Sequence, residues 1–561
     1  MIALAARLQA PPQDGSQKLA GGLAWLVVAV LLVFLALPLV AILGKAVAGS
    51  DGGFVGLVHF AEITAAPGFW QAVGNSITVA LLTTAIVIPL AFGFASALTR
   101  TRMWGKPLFR YLALIPLLAP SLLPAISLVY LFGNQGLLKG WFPEGSIYGL
   151  PGIVIGEVFY TFPHALMILI TALAIADARL YEAAGALGAG RVRQWFTVTL
   201  PAVRYGLISA ALVVFTLVVT DFGVPKVIGG QYPVLAVEAY KQVIGQQNFP
   251  KGAVIGLLLL LPAVLSFAID HLLQRKQKSL LTARAQPLQP RASLLASGAG
   301  LLFCSVVCLW LLAMLGMAVA AAFIKLWPYN LSPTLAHFDF DNMDGGGWLA
   351  YWNSLELATL TMLVGTVVVF AGAWLQEKLT GAAFARTLIR LFAMLPMAVP
   401  GLVLGLGYIF FFNGNGWLPL YGTMALLVLC TVMHFYTTAH LTAVTALKQM
   451  DNEFEAVAAS LKVPFWSTFW RVTVPVCLPA LVDIARFLFV STMTTVSAVI
   501  FLYTPDTVLA SVAVLNMDDA GDTAAAAAMA TLIVATSALV CLVFAGLSWW
   551  LAQRTQRWRQ R

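Results

Sequence analysis

Charge is what this 561-residue chain has least of: Asp, Glu, Lys and Arg together make up 10% of it. Soluble domains carry about 25%, so an ordinary water-surrounded globule is excluded. Cysteine is sparse too. The five, Cys304, Cys308, Cys430, Cys477 and Cys541, fall in or beside apolar runs, and none has metal-ligand spacing, although Cys304 and Cys308 share a helix face at i, i+4. They read as buried thiols. His164, His434 and His440 also lack ligand spacing, so no metal site is expected. No GxxxxGK[ST] phosphate loop occurs; Gly44-Lys45 and Gly105-Lys106 lack the Ser or Thr that should follow. Nor does a convergent nucleophile, base and ligand cluster stand out, so no catalytic residue and no bound cofactor is expected.

What is there is apolar sequence, 60% of the chain, in many runs longer than the ~20 residues that cross a bilayer as helix. Backbone groups cannot stay unpaired in lipid, so runs of this length are helices. The expected fold is an all-α integral membrane protein. Spans are expected at about 23–44, 72–98, 111–132, 148–176, 205–228 and 252–273, then at about 294–324, 353–376, 391–412, 421–447, 478–503 and 524–550. The first run could be mistaken for a signal peptide, with Ala46-Val47-Ala48 as its cleavage site, but it is too long for a signal core and reads as a retained span.

The net charge of +9 would suggest nucleic acid in a soluble protein. Its distribution argues otherwise. With the N-terminus inside, 25 of the 32 Lys and Arg fall in inside segments. Lys45, Lys139, Lys226, Lys241, Lys251 and Lys325 fall outside, and Arg486 lies within a span. That asymmetry implies a multi-pass protein of the inner, or plasma, membrane with both termini cytoplasmic, its basic charge facing lipid headgroups and cytoplasmic partners. Nucleic acid is not among the expected partners.

The chain repeats itself. Arg275 to Ser293, RKQKSLLTARAQPLQPRAS, is a basic, proline-containing linker. It separates a first six-span unit, 1–274, from a second, 294–561. TALAIADARLYEAAGALGA (Thr171 to Ala189) aligns with TALKQMDNEFEAVAASLKV (Thr445 to Val463) at an offset of 274, and QWFTVTLP with TFWRVTVP at the same offset. Asn75-Ser76 recurs as Asn353-Ser354, and Pro116 and Pro120 as Pro396 and Pro400. Six spans per unit means that both units run the same way, as in a parallel repeat with a pathway between halves.

The repeated charged segments, about 177–204 and 448–477, are expected on the cytoplasmic side. Asp177 to Leu187 is a short helix rich in Ala and Leu. Gly188 and Gly190 stop it, and a second helical piece carries Val192, Phe196 and Leu200 on one face. Pro201 is expected to mark entry to the next span. The mate carries Phe465, Phe469 and Val472, with Phe469-Trp470 set against Trp195-Phe196.

The first segment resembles the loop of permease subunits of binding-protein-dependent ATP-binding-cassette importers. Their pattern is Glu-Ala-Ala, three residues, Gly, then Leu-Pro thirteen residues after the Gly. Glu182, Ala183, Ala184, Gly188, Leu200 and Pro201 match it. The second segment departs from it: aligned on Pro475, Ala456 stands where Glu belongs, Glu455 comes one position early, and Lys462 replaces the Gly. The resemblance implies that both loops dock on separate ATP-hydrolysing subunits, two copies, which supply ATP chemistry this chain lacks. It also implies a periplasmic substrate-binding protein; Asp339, Asp341, Asp344, Asp506, Asp518, Asp519 and Asp522 read either as solvated loop acids or as its docking acids. The chain is most similar to fused two-unit permeases of ferric-iron and phosphonate uptake. Asp221 to Phe249 looks like the 2-aminoethylphosphonate permeases among them, which makes a phosphonate the favoured solute and ferric iron the next.

Ionisable residues in spans cost about 2.5–3.5 kcal/mol each on insertion scales. Glu157 and Asp221 are therefore candidate pathway residues, with interhelical hydrogen bonding left open as their other role. Glu157 and His164 lie two turns apart on one face; Glu356 falls in span 8, and Asp483 and Arg486 form an i, i+3 pair in span 11. An ion-gradient-driven secondary transporter with two six-span halves is the alternative; it leaves the paired loops unexplained.

The topology has a direct check. On a Cys-free background, Gln286→Cys should react only from the cytoplasm and Asp341→Cys only from outside. Same-side labelling would overturn the orientation.

Overall fold

The structure is a computed structural model and describes residues 15–49, 52–142, 147–174, 177–280, 288, 293–379, 381–413, 418–451, 453–461 and 463–555. Most of the basic linker, with Gln286, and the second-loop residue Lys462 lie outside the described residues.

Ten helices among the described residues are long and apolar enough to cross a membrane. In the first half these are span 1 (Lys18–Val47), span 2 (Phe69–Arg100), span 4 (Leu150–Ala174), span 5 (Val192–Thr220) and span 6 (Phe249–Leu273). In the second half they are span 7 (Leu294–Phe323), span 8 (Gly347–Lys378), span 10 (Met424–Lys448), span 11 (Phe465–Thr494) and span 12 (Thr523–Leu551). Spans 3 and 9 differ from the expected continuous helices. Span 3 is Lys106–Leu118 followed by Leu122–Phe132, bent by 100°, and span 9 is Ala383–Ala398 followed by Gly401–Phe412, bent by 114°. Proline explains the bends: it supplies no N–H and its ring clashes with the preceding turn. Pro116 and Pro120, like Pro396 and Pro400, bracket each break, where Ala119 N–H and Val399 N–H fall back on the Pro116 and Pro396 carbonyls at 3.2 Å.

Two repeated polar contacts account for the recurring Asn-Ser pair. Ser76 Oγ accepts from Leu235 N–H at 2.9 Å, and Ser354 Oγ from Ala510 N–H at 2.7 Å. Asn75 donates to the Pro233 carbonyl, and Asn353 to those of Asp506 and Val508. In each half the pair satisfies backbone groups of the non-helical chain leading into a short helix between spans, Leu235–Tyr240 or Ala510–Ala520. One element has no signature in the sequence, the antiparallel hairpin Ile324–Leu326 with Asn330–Pro333 that lies between spans 7 and 8.

Helix association in lipid rests on close packing of small residues rather than on hydrophobic burial. A Cβ on Gly206 would stand 2.3 Å from Ala172 Cβ, and one on Gly365 would stand 2.8 Å from Leu488 Cδ1, so these spans touch backbone to side chain. The halves are also interlocked. Span 1 packs on span 9 of the second half, with Phe34 stacked on Phe412 at 5.9 Å. Span 7 packs on span 3 of the first half, and its Trp310 meets Phe159 of span 4 edge-on at 6.2 Å.

A reciprocal contact sits at the two bends. Gly223, just after span 5, lies where a Cβ would be 2.2 Å from Ser121 Oγ at the span 3 bend. In the second half the partners are exchanged: Gly401 is at the span 9 bend, and its Cβ would be 2.7 Å from Ser497 Oγ. One member of each pair must therefore be glycine. Gly223→Val and Gly401→Val should each cost about 1–3 kcal/mol as overpacking, read as a lower unfolding midpoint of the purified protein. Gly223→Ser combined with Ser121→Gly, which copies the second half, should recover most of that loss.

Candidate functional site

The two charged segments are built alike. Asp177 Oδ1 accepts from Arg179 N–H at 3.1 Å and caps the helix Ala178–Ala186; Asp451 Oδ1 accepts from Glu453 N–H at 3.1 Å and leads into Glu453–Ser460. At the other end Ala189 N–H returns to the Ala184 carbonyl and Gly188 N–H to that of Gly185, the paired bonds of a left-handed helix stop. Gly188 takes φ +74°, as the Gly in that stop must, and a Cβ there would meet nothing within 4 Å. Val463 N–H makes the matching bond to the Ala458 carbonyl at 2.9 Å.

The second helical piece does not end at Pro201. Val192–Thr220 is one continuous helix, and so is Phe465–Thr494 across Pro475. A wider turn precedes each proline, at Trp195–Thr199 and Phe469–Thr473. There Leu200 N–H reaches back five residues to Trp195, which loosens the turn that the proline ring would otherwise strike. The expectation that Pro201 begins a separate span is corrected accordingly.

The aromatic pairs divide their work. Trp195 meets Phe92 of span 2 edge-on at 6.3 Å, and Phe469 meets Phe370 of span 8 at 5.9 Å and Trp374 at 5.3 Å. The half-buried Phe469 and the 40%-exposed Trp195 thus anchor their turns to spans 8 and 2. Phe196 and Trp470 remain about two-thirds exposed, 59% and 66%. Glu182, Ala183, Gly188 and Pro201 are exposed, and Ala184 and Pro475 are half-buried. Glu455 differs from Glu182: it is half-buried and pairs with Lys378 at 2.9 Å.

The membrane acids come together in one place. Glu157 is fully buried, and neither of its oxygens meets a hydrogen-bond donor. It faces Asp221, whose Oδ2 accepts from Val224 N–H at 2.9 Å just past the end of span 5. His164, which shares a helix face with Glu157, lies instead with its Nδ1 3.2 Å from the Tyr160 carbonyl. At the offset of 274 the second half has Thr431, His434 and Thr495 where the first has Glu157, Tyr160 and Asp221, so the acid pair belongs to one half only. His440 is buried against Gln376 at 2.9 Å, Glu356 is exposed, and Asp483 and Arg486 pair at 3.2 Å as the spacing suggests. No group of three His, Cys, Asp or Glu able to hold a metal occurs among the described residues.

The first-half segment between spans 5 and 6 meets the second half at contacts not foreseen from the sequence. Lys226 pairs with Asp519 at 2.9 Å. Tyr240 lies 4.8 Å from Phe222 and stacks on Phe501 at 6.4 Å. Beside them burial, and then Asp519, push the Asp518 carboxyl up to about 6 against the opposing effect of Lys226. These residues sit in apolar or solvated surroundings without a motif, and nothing in their spacing marks them. Arg100 and Lys378 had a readable signal, since the offset of 278 that relates Asn75 to Asn353 relates them too.

Two six-span helical units in parallel, each ending spans 4 and 10 in the same capped loop, define a duplicated membrane permease. The sequence matches the family of the binding-protein-dependent transport system inner membrane component twice, over residues 88–279 and 368–557, and the chain belongs to that family. It is thus the fused, two-unit permease component of an ATP-binding-cassette importer. The ferric transport system permease protein FbpB of Actinobacillus pleuropneumoniae is 26% identical over 82% of this chain and 68% of its own length. The thiamine transport system permease protein ThiP of Salmonella typhimurium is 25% identical over 71% of this chain and 73% of its own. The molybdenum transport system permease protein ModB of Escherichia coli is 32% identical over 28% of this chain and 69% of its own.

The acid pair makes a prediction. A buried acceptor without a donor costs about 1–3 kcal/mol. Glu157→Gln places an amide donor opposite Asp221 and should raise the unfolding midpoint by a few degrees. Glu157→Ala, which leaves Asp221 facing a cavity, should lower it.

Proposed function

We propose that the chain carries a small solute from periplasm to cytoplasm, driven by two copies of a separate ATPase that dock on the loops at about 177–204 and 448–477. The supporting observation is that both loops are held by the same cap, helix stop and aromatic anchor while Phe196 and Trp470 are left exposed. Exposed aromatic anchors beside a charged rim suit a protein partner. Glu182, Ala183, Ala184, Gly188 and Phe196 form the contact on the first loop, and Trp470 with Lys462 on the second. Trp195, Phe469, Pro475 and Glu455 hold those surfaces in place, and the exposed Pro201 borders the first. Both termini are cytoplasmic, and a periplasmic binding protein delivers the solute to the outer acids.

The pathway runs between the halves past Glu157 and Asp221. The solute is 2-aminoethylphosphonate or a similar phosphonate, a reading supported by the resemblance of Asp221 to Phe249. Ferric iron is the second reading, supported by the substrate named for the Actinobacillus relative. Uptake into vesicles holding the permease and its ATPase, fed by the binding protein, separates them by which labelled solute accumulates. The chain alone should neither hydrolyse ATP nor take up solute. Robust gradient-driven uptake by the chain alone would instead support a secondary transporter.

The loops are not equivalent. Gly188→Asp adds strain of about 1–2 kcal/mol at a positive φ and sets an unpaired charge in the docking surface. Such a charge costs a few kcal/mol when buried, roughly a hundredfold in affinity. Lys462 already offers a long side chain at the matched position, so Lys462→Asp should hurt less. Co-purification of the ATPase and ATP-dependent uptake are the measurements. The opposite order would reverse the ranking, and no effect from either change would remove the docking role.

A further inference from the structure

Each docking loop is gripped from one side by the span that precedes it in space, and the grip has two points. Phe92 and Arg100 lie eight residues apart on span 2, about two turns, so both face the first loop. Phe92 touches Trp195. Arg100, the last residue of the span, holds its guanidinium carbon 5.1 Å from the centroid of the Tyr181 ring. It also donates to the Leu173 carbonyl at the end of span 4, at 3.4 Å. Tyr181 is buried, and its hydroxyl donates to Thr199 Oγ1 at 2.9 Å, tying the short helix to the wide turn early in span 5.

The second half repeats the arrangement with different chemistry. Phe370 and Lys378 stand at the matched positions of span 8. Phe370 touches Phe469, and Lys378 pairs with Glu455 at 2.9 Å with only 5% of its side chain exposed. At the offset of 274, Glu455 corresponds to Tyr181, not to Glu182. A cation over an aromatic ring in one half is thus replaced by an ion pair in the other.

We infer that Arg100 and Lys378 are positioning residues of the coupling machinery: through Tyr181 and Glu455 they fix the two loop helices to spans 2 and 8. The inference rests on the proposed docking role of the loops. It assigns Glu455 to holding its own loop rather than to contacting the ATPase. Cation–π and ionic contacts are both available to a guanidinium, so Tyr181→Glu should be tolerated with Arg100 present. Losing the cation should not be.

The test uses the full chain with its ATPase in lipid nanodiscs. Amide exchange across Glu453–Ser460 should rise at least tenfold in Lys378→Met, while Ala178–Ala186 stays unchanged; Arg100→Met should do the reverse. Charge exchange, Lys378→Glu with Glu455→Lys, should bring exchange back to within about threefold. Unchanged exchange in both single variants, or no recovery in the exchanged pair, overturns the tether. If Lys378→Met proves too unstable to purify, Glu455→Gln reads the same contact. Where exchange rises, the maximal rate of ATP-driven uptake should fall about tenfold with the half-saturating solute concentration unchanged. Full uptake with a loosened helix overturns the positioning role. Gly188→Asp and Lys462→Asp, measured in parallel, report separately whether the loops dock at all: an ATPase retained by both variants refutes the docking reading, whatever the tether variants do.

Discussion

Inside a bilayer every backbone N–H and C=O needs a partner within the protein, and the architecture follows from that constraint. It makes ten of the spans unbroken helices, and it makes the two exceptions costly. The bends in spans 3 and 9 are tolerable because the prolines that cause them also remove donors, and because the remaining groups fall back on local carbonyls. They also need cover. The chain just past spans 5 and 11 comes close enough that one side of each crossing must be glycine. The bends therefore fix where those segments lie, and with them Asp221 and the short helices Leu235–Tyr240 and Ala510–Ala520.

The two halves keep contacts more faithfully than residues. The Gly–Ser crossing survives with its members exchanged between strands of chain. The loop tether survives with a ring in one half and a carboxylate in the other. The Asn-Ser pair survives intact, satisfying two backbone groups in the first half and three in the second. What is not kept is the acid pair: Glu157 and Asp221 give way to Thr431 and Thr495. A solute passing between the halves would meet chemically unlike walls.

Much of this was legible in the sequence. Span number follows from run length, and the repeat follows from fixed offsets. The helix at Ala178–Ala186 and its glycine stop follow from local propensity and positive φ. The bends did not follow, because Pro116 and Pro120 also suit a kinked continuous helix. Continuity through Pro201 was missed because a wide turn has no residue signature; it depends on bonds five residues back. Glu455 stands beside the loop pattern in sequence, whereas its partner Lys378 is far away in sequence and close in space. Lys226 and Asp519 are isolated charges until the halves are assembled.

The interlocking of the halves bears on the order in which the chain is made. The Tyr408 hydroxyl donates to the Phe34 carbonyl across 374 residues of sequence. Span 1 therefore crosses the membrane long before span 9, its packing partner, has been synthesised. Until then its future contact face is met by lipid alone. A span with polar groups on that face would wait at a cost, or recruit the wrong neighbour. Span 1 is the most apolar of the ten unbroken spans, as befits the one that waits longest.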